Sequence, residues 1–226
     1  MNFVLTNDDG IDAPGLQALK EAVGGQGVIV APDGPLSGCS HRVTTHEGPI
    51  RVERRDAENF CVYGTPADCV RLAFNQLHPE GTVLVAGINP GGNLGVDIYL
   101  SGTVAAAREA AFHGYPSIAV SQYIKRGLLL DWATSSRHAA RAVAQLLERD
   151  HAPGTYWNIN LPHVAADESD PEIVHCAPCT QPLPVGYRVE GEHYHYEGVY
   201  SDRARDPGAD VDLCFSGKIT VSQLRL

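Results

Sequence analysis

Four short, unbroken apolar runs, Phe3 to Thr6, Val28 to Ala31, Thr82 to Ile88 and Ser117 to Ser121, are separated by stretches with helical spacing. Runs of this length without polar alternation belong to strands buried on both faces. Such strands require a mostly parallel sheet covered by helices on either side. The intervening segments agree. Pro14 opens a helical pattern through Leu16, Leu19 and Val23 that stops at Gly24-Gly25, with proline near the start and glycine past the end. Thr65-Pro66-Ala67-Asp68 reads as an N-cap and first turn, and Val70, Ala73, Phe74 and Leu77 follow at helical spacing. Thr103 to Phe112 is an alanine-rich helix, and Asp131 to Arg149 a long amphipathic one.

The rest of the chain reads differently. Residues 42–63 alternate and suggest local antiparallel strands. Beyond Leu161, proline, glycine and tyrosine accumulate, and the tail to Leu226 reads as β-hairpins and loops. Leu183 to Tyr200 alternates around Gly191 like a protruding hairpin. An isolated hairpin is marginal in water, so Tyr187, Val189, Tyr194 and Tyr196 call for a surface to pack on. The expectation is one α/β domain over residues 1–226. About 1–161 form the layered core and about 162–226 a β-hairpin-rich extension.

Bulk properties narrow the partners. A chain of 226 residues with 43% hydrophobic content can bury a full core. A net charge of −10 disfavours a nucleic-acid polymer but leaves room for a small phosphorylated substrate. No apolar run approaches the ~20 residues that cross a bilayer, so no membrane partner is expected. The start lacks the basic stretch and long apolar run of an export signal, and the six cysteines read as reduced thiols. The expected location is the cytoplasm.

In open α/β sheets, sites form beyond the carboxyl ends of the strands. Three loops leave strands there: Asn7 to Gly10, Pro32 to Ser40 and Asn89 to Gly95. Asp8 and Asp9 are adjacent. Two unpaired carboxylates ~4 Å apart repel by about 4 kcal/mol at an effective dielectric of ~20. A divalent cation removes that cost, and oxygen ligands favour a hard ion such as Mg²⁺ or Mn²⁺. The other reading of the pair is an Asx-type turn that holds two acids. Asn89 and Ser37 could complete the ion's shell, and each could equally be a turn or cap residue. Ser101-Gly102-Thr103 precedes the alanine-rich helix, where backbone N–H groups attract anions and where a simple N-cap would also sit. A cation site beside an anion cradle suits phosphate-ester hydrolysis.

Other motifs point elsewhere and are weaker. Cys176 and Cys179 have CxxC spacing without partners at zinc-finger distance. No GxxxxGK[ST] and no GxSxG occurs, and proline replaces the first glycine of a would-be GxGxxG at Pro90. His193-Tyr194-His195-Tyr196 alternates like a half-exposed strand.

In order along the chain, TNDDGIDAPG, APD with a following SG, GTPADCV, GINPGGNLG and SGTVAAA resemble the SurE family of stationary-phase survival proteins. The match covers most of residues 1–121 and returns weakly at Gly208-Ala209-Asp210 and Lys218-Ile219-Thr220. The resemblance implies a Rossmann-like three-layer α/β/α fold and a metal-dependent 5′/3′-nucleotidase acting on nucleoside monophosphates. Asp8 and Asp9 are the implied catalytic residues. The implied ligands of one divalent ion per subunit are Asp8, Asp9, Ser37 and Asn89, and the implied phosphate contacts are Asn93, Ser101, Gly102 and Thr103. It also implies a homodimer or homotetramer built with late-chain elements. Alternatives in the same site are a polyphosphate-trimming enzyme and a non-catalytic module binding a phosphorylated ligand. Leu100, Ala209 and Gln223 depart from the family pattern, and the chain stops at Leu226 where relatives commonly continue into a helix.

Overall fold

The computed structural model describes residues 1–165 and 168–226. Among these residues, eleven strands and five α-helices follow in chain order as β1 (Phe3–Thr6), α1 (Pro14–Ala22), β2 (Val28–Pro32), β3 (Val52–Arg54), β4 (Asn59–Val62), α2 (Pro66–Leu72), β5 (Val83–Pro90), α3 (Gly102–Phe112), β6 (Ser117–Gln122), α4 (Trp132–Leu147), β7 (Thr155–Leu161), β8 (Ile173–His175), β9 (Tyr187–Glu190), β10 (His193–Tyr196), α5 (Asp210–Phe215) and β11 (Ile219–Arg225). Nine strands form one sheet in the order β3-β4-β2-β1-β5-β6-β7-β11-β8. Strands β4, β2, β1, β5, β6 and β7 run parallel, while β3 pairs antiparallel with β4 and β11 with β7.

Alternate residues of the buried strands feed two cores. Phe3, Leu5, Ile29, Val85, Val120 and Ile159 pack with Leu16 and Leu19 of α1 and with Ala139, Val143 and Leu146 of α4. Val4, Val30, Phe60 and Leu84 pack on the other face with Cys69 and Val70 of α2 and Ala106 and Ala110 of α3. The helix starts follow their sequence signals. Thr65 and Asp68 close a reciprocal capping box on α2. Asp131 caps α4 by accepting from the Ala133 and Thr134 amides. The alanines of α3 keep that helix close to β5 and β6, and nine of its eleven residues are buried.

The expectation for the tail is partly corrected. The hairpin is present as β9 paired antiparallel with β10, with every residue of both strands exposed. Residues 218–226, read as hairpin and loop, instead place β11 beside β7 in the main sheet, and β8 pairs parallel with β11. The reason is burial: Ile219, Thr220, Val221 and Ser222 are all enclosed. Asp210–Phe215 is a short helix that the proline- and glycine-rich context concealed. Of residues 42–63, only Val52–Arg54 and Asn59–Val62 are strands, and β4 joins the sheet parallel to β2.

Candidate active site

From β1 the chain passes to β2 on one side, and from β5 to β6 on the other, so the strand order reverses between β1 and β5. The crevice beyond their carboxyl ends is the ligand site that such a sheet offers. Asp8 and Asp9 follow β1 there, and Asn89 stands near the end of β5.

The aspartate loop is rigid. The Asn7 side chain spans it, donating to the Gly10 carbonyl at 2.9 Å and accepting from the Gly10 amide at 3.2 Å. Gly10 has φ +103°, and a Cβ there would lie 2.9 Å from Gly34 Cα, so the second loop rests directly on the first. Backbone bonds from Ile11 to the Pro32 carbonyl (2.8 Å) and from Leu36 to the Asp8 carbonyl (2.7 Å) lock the two together. Ser37, the next residue, is exposed. The far side of its turn is tied to the loop before α3, because Ser40 donates from Oγ to the Tyr99 carbonyl (2.7 Å) and from its amide to the Leu100 carbonyl (3.1 Å).

Asp8 is almost fully buried, and its Oδ1 accepts from Thr103 Oγ1 at 2.5 Å. Burial pushes its carboxyl above the usual range. The Thr103 hydroxyl and the backbone N–H groups of Gly102 and Thr103 act the other way. Gly102 has to be glycine, since a Cβ there would stand 2.8 Å from Asp8 Cβ, Asp8 Oδ2 and Cys39 Sγ. Asp9 has fewer compensations. Burial, and then the neighbouring Asp8 charge, push its carboxyl up to about 7, and its buried Oδ2 has no hydrogen-bond partner. A buried acceptor left unpaired costs about 1–3 kcal/mol, a cost that a cation at this atom would remove. Asn89 donates from Nδ2 to the Gly91 carbonyl at 2.7 Å, leaving its oxygen as the end available to an ion. Among the described residues no three His, Cys, Asp or Glu side chains form a metal cluster. A shell here would have to draw on neutral oxygens such as those of Ser37 and Asn89, and that donor set would fit a hard divalent ion.

The implied phosphate residues are placed nearby, with part of their bonding already committed. Ser101 is the N-cap of α3, accepting from the Val104 amide at 3.0 Å. The Thr103 hydroxyl belongs to Asp8. Asn93 is buried and donates from Nδ2 to Ser121 Oγ at 2.8 Å. What remains for an anion is the dipole field of α3, because the Gly102 and Thr103 amides serve Asp8 and the Val104 amide serves the Ser101 cap.

Several supporting residues lie outside the expected site set. Glu109 of α3 is buried, and bonds from His41 (2.8 Å), Arg71 (2.5 Å) and His113 (3.1 Å) outweigh that burial and hold its carboxyl at about 2. Through His41, α3 thus grips the end of the Ser37 loop. Asp210 is fully buried and accepts backbone N–H bonds from Gly95 (2.8 Å), Cys179 (2.7 Å) and Val211 (2.7 Å), tying the tail to the loop after Asn93. Asp97, bonded by Arg203 at 2.7 Å and Tyr200 at 2.6 Å, makes a second tie. Asn158 and Asn160 left a readable signal, as two polar residues on one face of an otherwise buried strand.

Comparison with known proteins places this geometry. The family model for survival protein SurE matches residues 3–181. A putative 5′-nucleotidase of Nostoc sp. is 50% identical over 227 residues, covering 100% of both chains. The 5′-nucleotidase SurE of Geobacter sulfurreducens is 38% identical, covering 100% of this chain and 88% of its own. The crystal structure of the SurE protein from Aquifex aeolicus superposes with a TM-score of 0.85 at 30% identity, covering 100% of this chain and 93% of that one. With family model, relatives and fold in agreement, and with the doubled aspartate at the switch point, the chain belongs to the SurE family.

Proposed function

We propose that this protein is a phosphoric monoester hydrolase, a 5′-nucleotidase that removes phosphate from nucleoside monophosphates with the help of one divalent cation. The names of its relatives support the nucleotidase activity. The observation that carries the cation is the unpaired, buried Oδ2 of Asp9 beside an Asp8 carboxylate that Thr103 already holds.

In this reading Asp8, Asp9, Ser37 and Asn89 hold Mg²⁺ or Mn²⁺. When bound, the ion supplies Lewis acidity to the phosphoryl group and to the attacking water. The chain's own residues do the rest. Thr103 fixes the Asp8 carboxylate in one rotamer, and the Asp9 carboxylate orients the attacking water. The N-terminal turn of α3, Ser101 to Thr103, faces the phosphate and offsets the charge that builds on its oxygens. Asn93 adds a polar contact from the facing loop.

A panel of nucleoside monophosphates, sugar phosphates and short polyphosphate, assayed with Mg²⁺, Mn²⁺ and Co²⁺ and after exhaustive EDTA, tests this. The expected result is nucleoside monophosphate turnover that EDTA abolishes and added metal restores. Full turnover in protein shown by elemental analysis to be metal-free would refute it.

The protein also acts in the cytoplasm and as a homodimer or homotetramer in this proposal. All six cysteines are free thiols, which fits a reducing compartment. Among the described residues no helix is long and apolar enough to cross a membrane. Val189 (58% exposed) and Tyr194 (69% exposed) on the β9–β10 hairpin offer apolar area for a second subunit.

A further inference from the structure

The loop Asn89 to Gly95 links a cation ligand to a phosphate contact, yet three of its seven residues are glycine. Such a stretch has little conformational preference of its own. Its register therefore has to be imposed from outside, and β7 imposes it. Asn160 Oδ1 accepts from the Asn93 amide at 2.8 Å, and Asn160 Nδ2 donates to the Asn93 carbonyl at 3.1 Å. One side-chain amide thus pairs with both backbone groups of a single residue, as a neighbouring strand would. Asn158 Nδ2 donates to the same carbonyl at 2.9 Å, filling its second lone pair. Ser121 Oγ, from the end of β6, then takes the Asn93 side-chain amide at 2.8 Å.

All four residues are buried, with Asn158 and Asn160 1% exposed and Ser121 fully enclosed. Two asparagines inside a central strand are costly unless hydrogen-bonded. Three of the side-chain bonds that these two make converge on one residue of one loop. A packing role alone would be met by apolar side chains such as those of Ile159 and Leu161 in the same strand.

We propose that Asn160, assisted by Asn158 and Ser121, is the positioning residue for Asn93, so that the depth of the phosphate subsite is set from β7. This rests on the reading of Asn93 as a phosphate contact. Asn160 touches Asn93, and its effect on substrate passes through that residue. Phosphate affinity should therefore depend on β7, whereas cation affinity, set by Asp8 and Asp9 from the β1 loop and by Asn89, which the pairing of β5 with β6 already holds, should not.

The test uses the full chain with Asn160→Ala, Asn158→Ala and Ser121→Ala. Measured are KM and kcat for a nucleoside monophosphate, the inhibition constant of inorganic phosphate, and Mn²⁺ affinity by titration of the protein alone. Loss of one or two hydrogen bonds predicts that Asn160→Ala raises KM and the phosphate inhibition constant together by about tenfold. Asn158→Ala, which leaves the carbonyl one donor, and Ser121→Ala should raise both by about threefold. Mn²⁺ affinity should stay within about twofold throughout. A purely structural role would lower the melting temperature and leave both constants unmoved, and that outcome in folded Asn160→Ala overturns the inference. Should Asn160→Ala fail to fold, Ser121→Ala decides the matter, because it removes a single hydroxyl. Unchanged constants there also overturn it. A wild-type enzyme that turns over but is indifferent to phosphate would remove Asn93 as a phosphate contact, and the inference with it. That result is distinguishable because it appears before any variant is made.

Discussion

Replacing Asp9 with asparagine should stabilise the metal-free protein at alkaline pH and make no difference in acid. Burial and the Asp8 charge raise the Asp9 carboxyl from 3.8 to about 7. A carboxyl whose folded pKa lies above its unfolded value binds its proton more tightly in the native state. Its stabilising contribution is complete below about pH 4 and is lost as pH rises through about 7. A shift of roughly three units corresponds to about 4 kcal/mol. Asp9 is only partly enclosed, so solvent screening brings the expected loss nearer to about 2 kcal/mol. For a chain of this length the unfolding entropy is about 0.5 kcal/mol per degree, which makes the difference about 4 °C in Tm. Wild type and Asp9→Asn would be melted in EDTA from about pH 3.5 to about pH 8.5. The two curves should coincide at the acid end and separate by about 4 °C at the alkaline end, with the variant higher. Saturating Mn²⁺ at pH 8 should erase or reverse the gap, because the ion stabilises only the chain that keeps both carboxylates. Asp9→Asn should also lower kcat by at least ~10²-fold. A metal-free variant that is less stable than wild type at pH 8 would show that Asp9 is not held under electrostatic strain.

Three further outcomes concern packing at the site and elsewhere in the fold. Gly102→Ala places a methyl against Asp8 and Cys39, so Mn²⁺ affinity and kcat should each fall about tenfold or more, the scale of a misplaced catalytic group; calorimetric titration and steady-state rates read both. His138 is 1% exposed, with neither ring nitrogen hydrogen-bonded and the Asp170 carboxylate 3.6 Å away. Burial lowers its pKa, so stability present above about pH 6.5 should decline as the pH falls below that value, and thermal melts of His138→Leu should show a shallower acid slope. The Cys176→Ser, Cys179→Ser double variant should keep its metal response and its rate within about twofold. Cys179 serves the fold instead, with Sγ accepting from the Asp206 amide at 3.4 Å, so a melt should show a loss of about 1 kcal/mol.

What the sequence discloses here tracks how local the determining physics is. Strands β1, β2, β5 and β6 are legible because each is a short apolar run bounded by turn residues. The starts of α2 and α4 are legible because a cap acts within four residues. Asp8 and Asp9 stand out because the repulsion between neighbours is itself local. Strand β11 was hidden because its burial depends on β7, more than 50 positions earlier. The bonds of Thr103 were hidden for the same reason. In the sequence its hydroxyl is a candidate for phosphate or for a cap, and only the crossing of α3 over the β1 loop assigns it to Asp8. Glu109 and Asp210 are long-range in the same sense: each is an ordinary acid by composition and a buried staple by contact.

The charges around α3 bear on the proposal that a cation and a phosphate share one site. The positive end of this helix already faces a carboxylate, since Asp8 sits against Gly102 and Thr103. A phosphate dianion brought to the same turn meets Asp8 and Asp9 as well. Each unit of like charge at ~4 Å opposes it by about 4 kcal/mol at an effective dielectric of ~20. The helix end contributes about 1–2 kcal/mol in return, which is too little to offset even one of those repulsions. The imbalance closes once a divalent ion cancels the two carboxylates. The glycine at position 102 that lets Asp8 approach the helix therefore makes the helix insufficient for phosphate on its own.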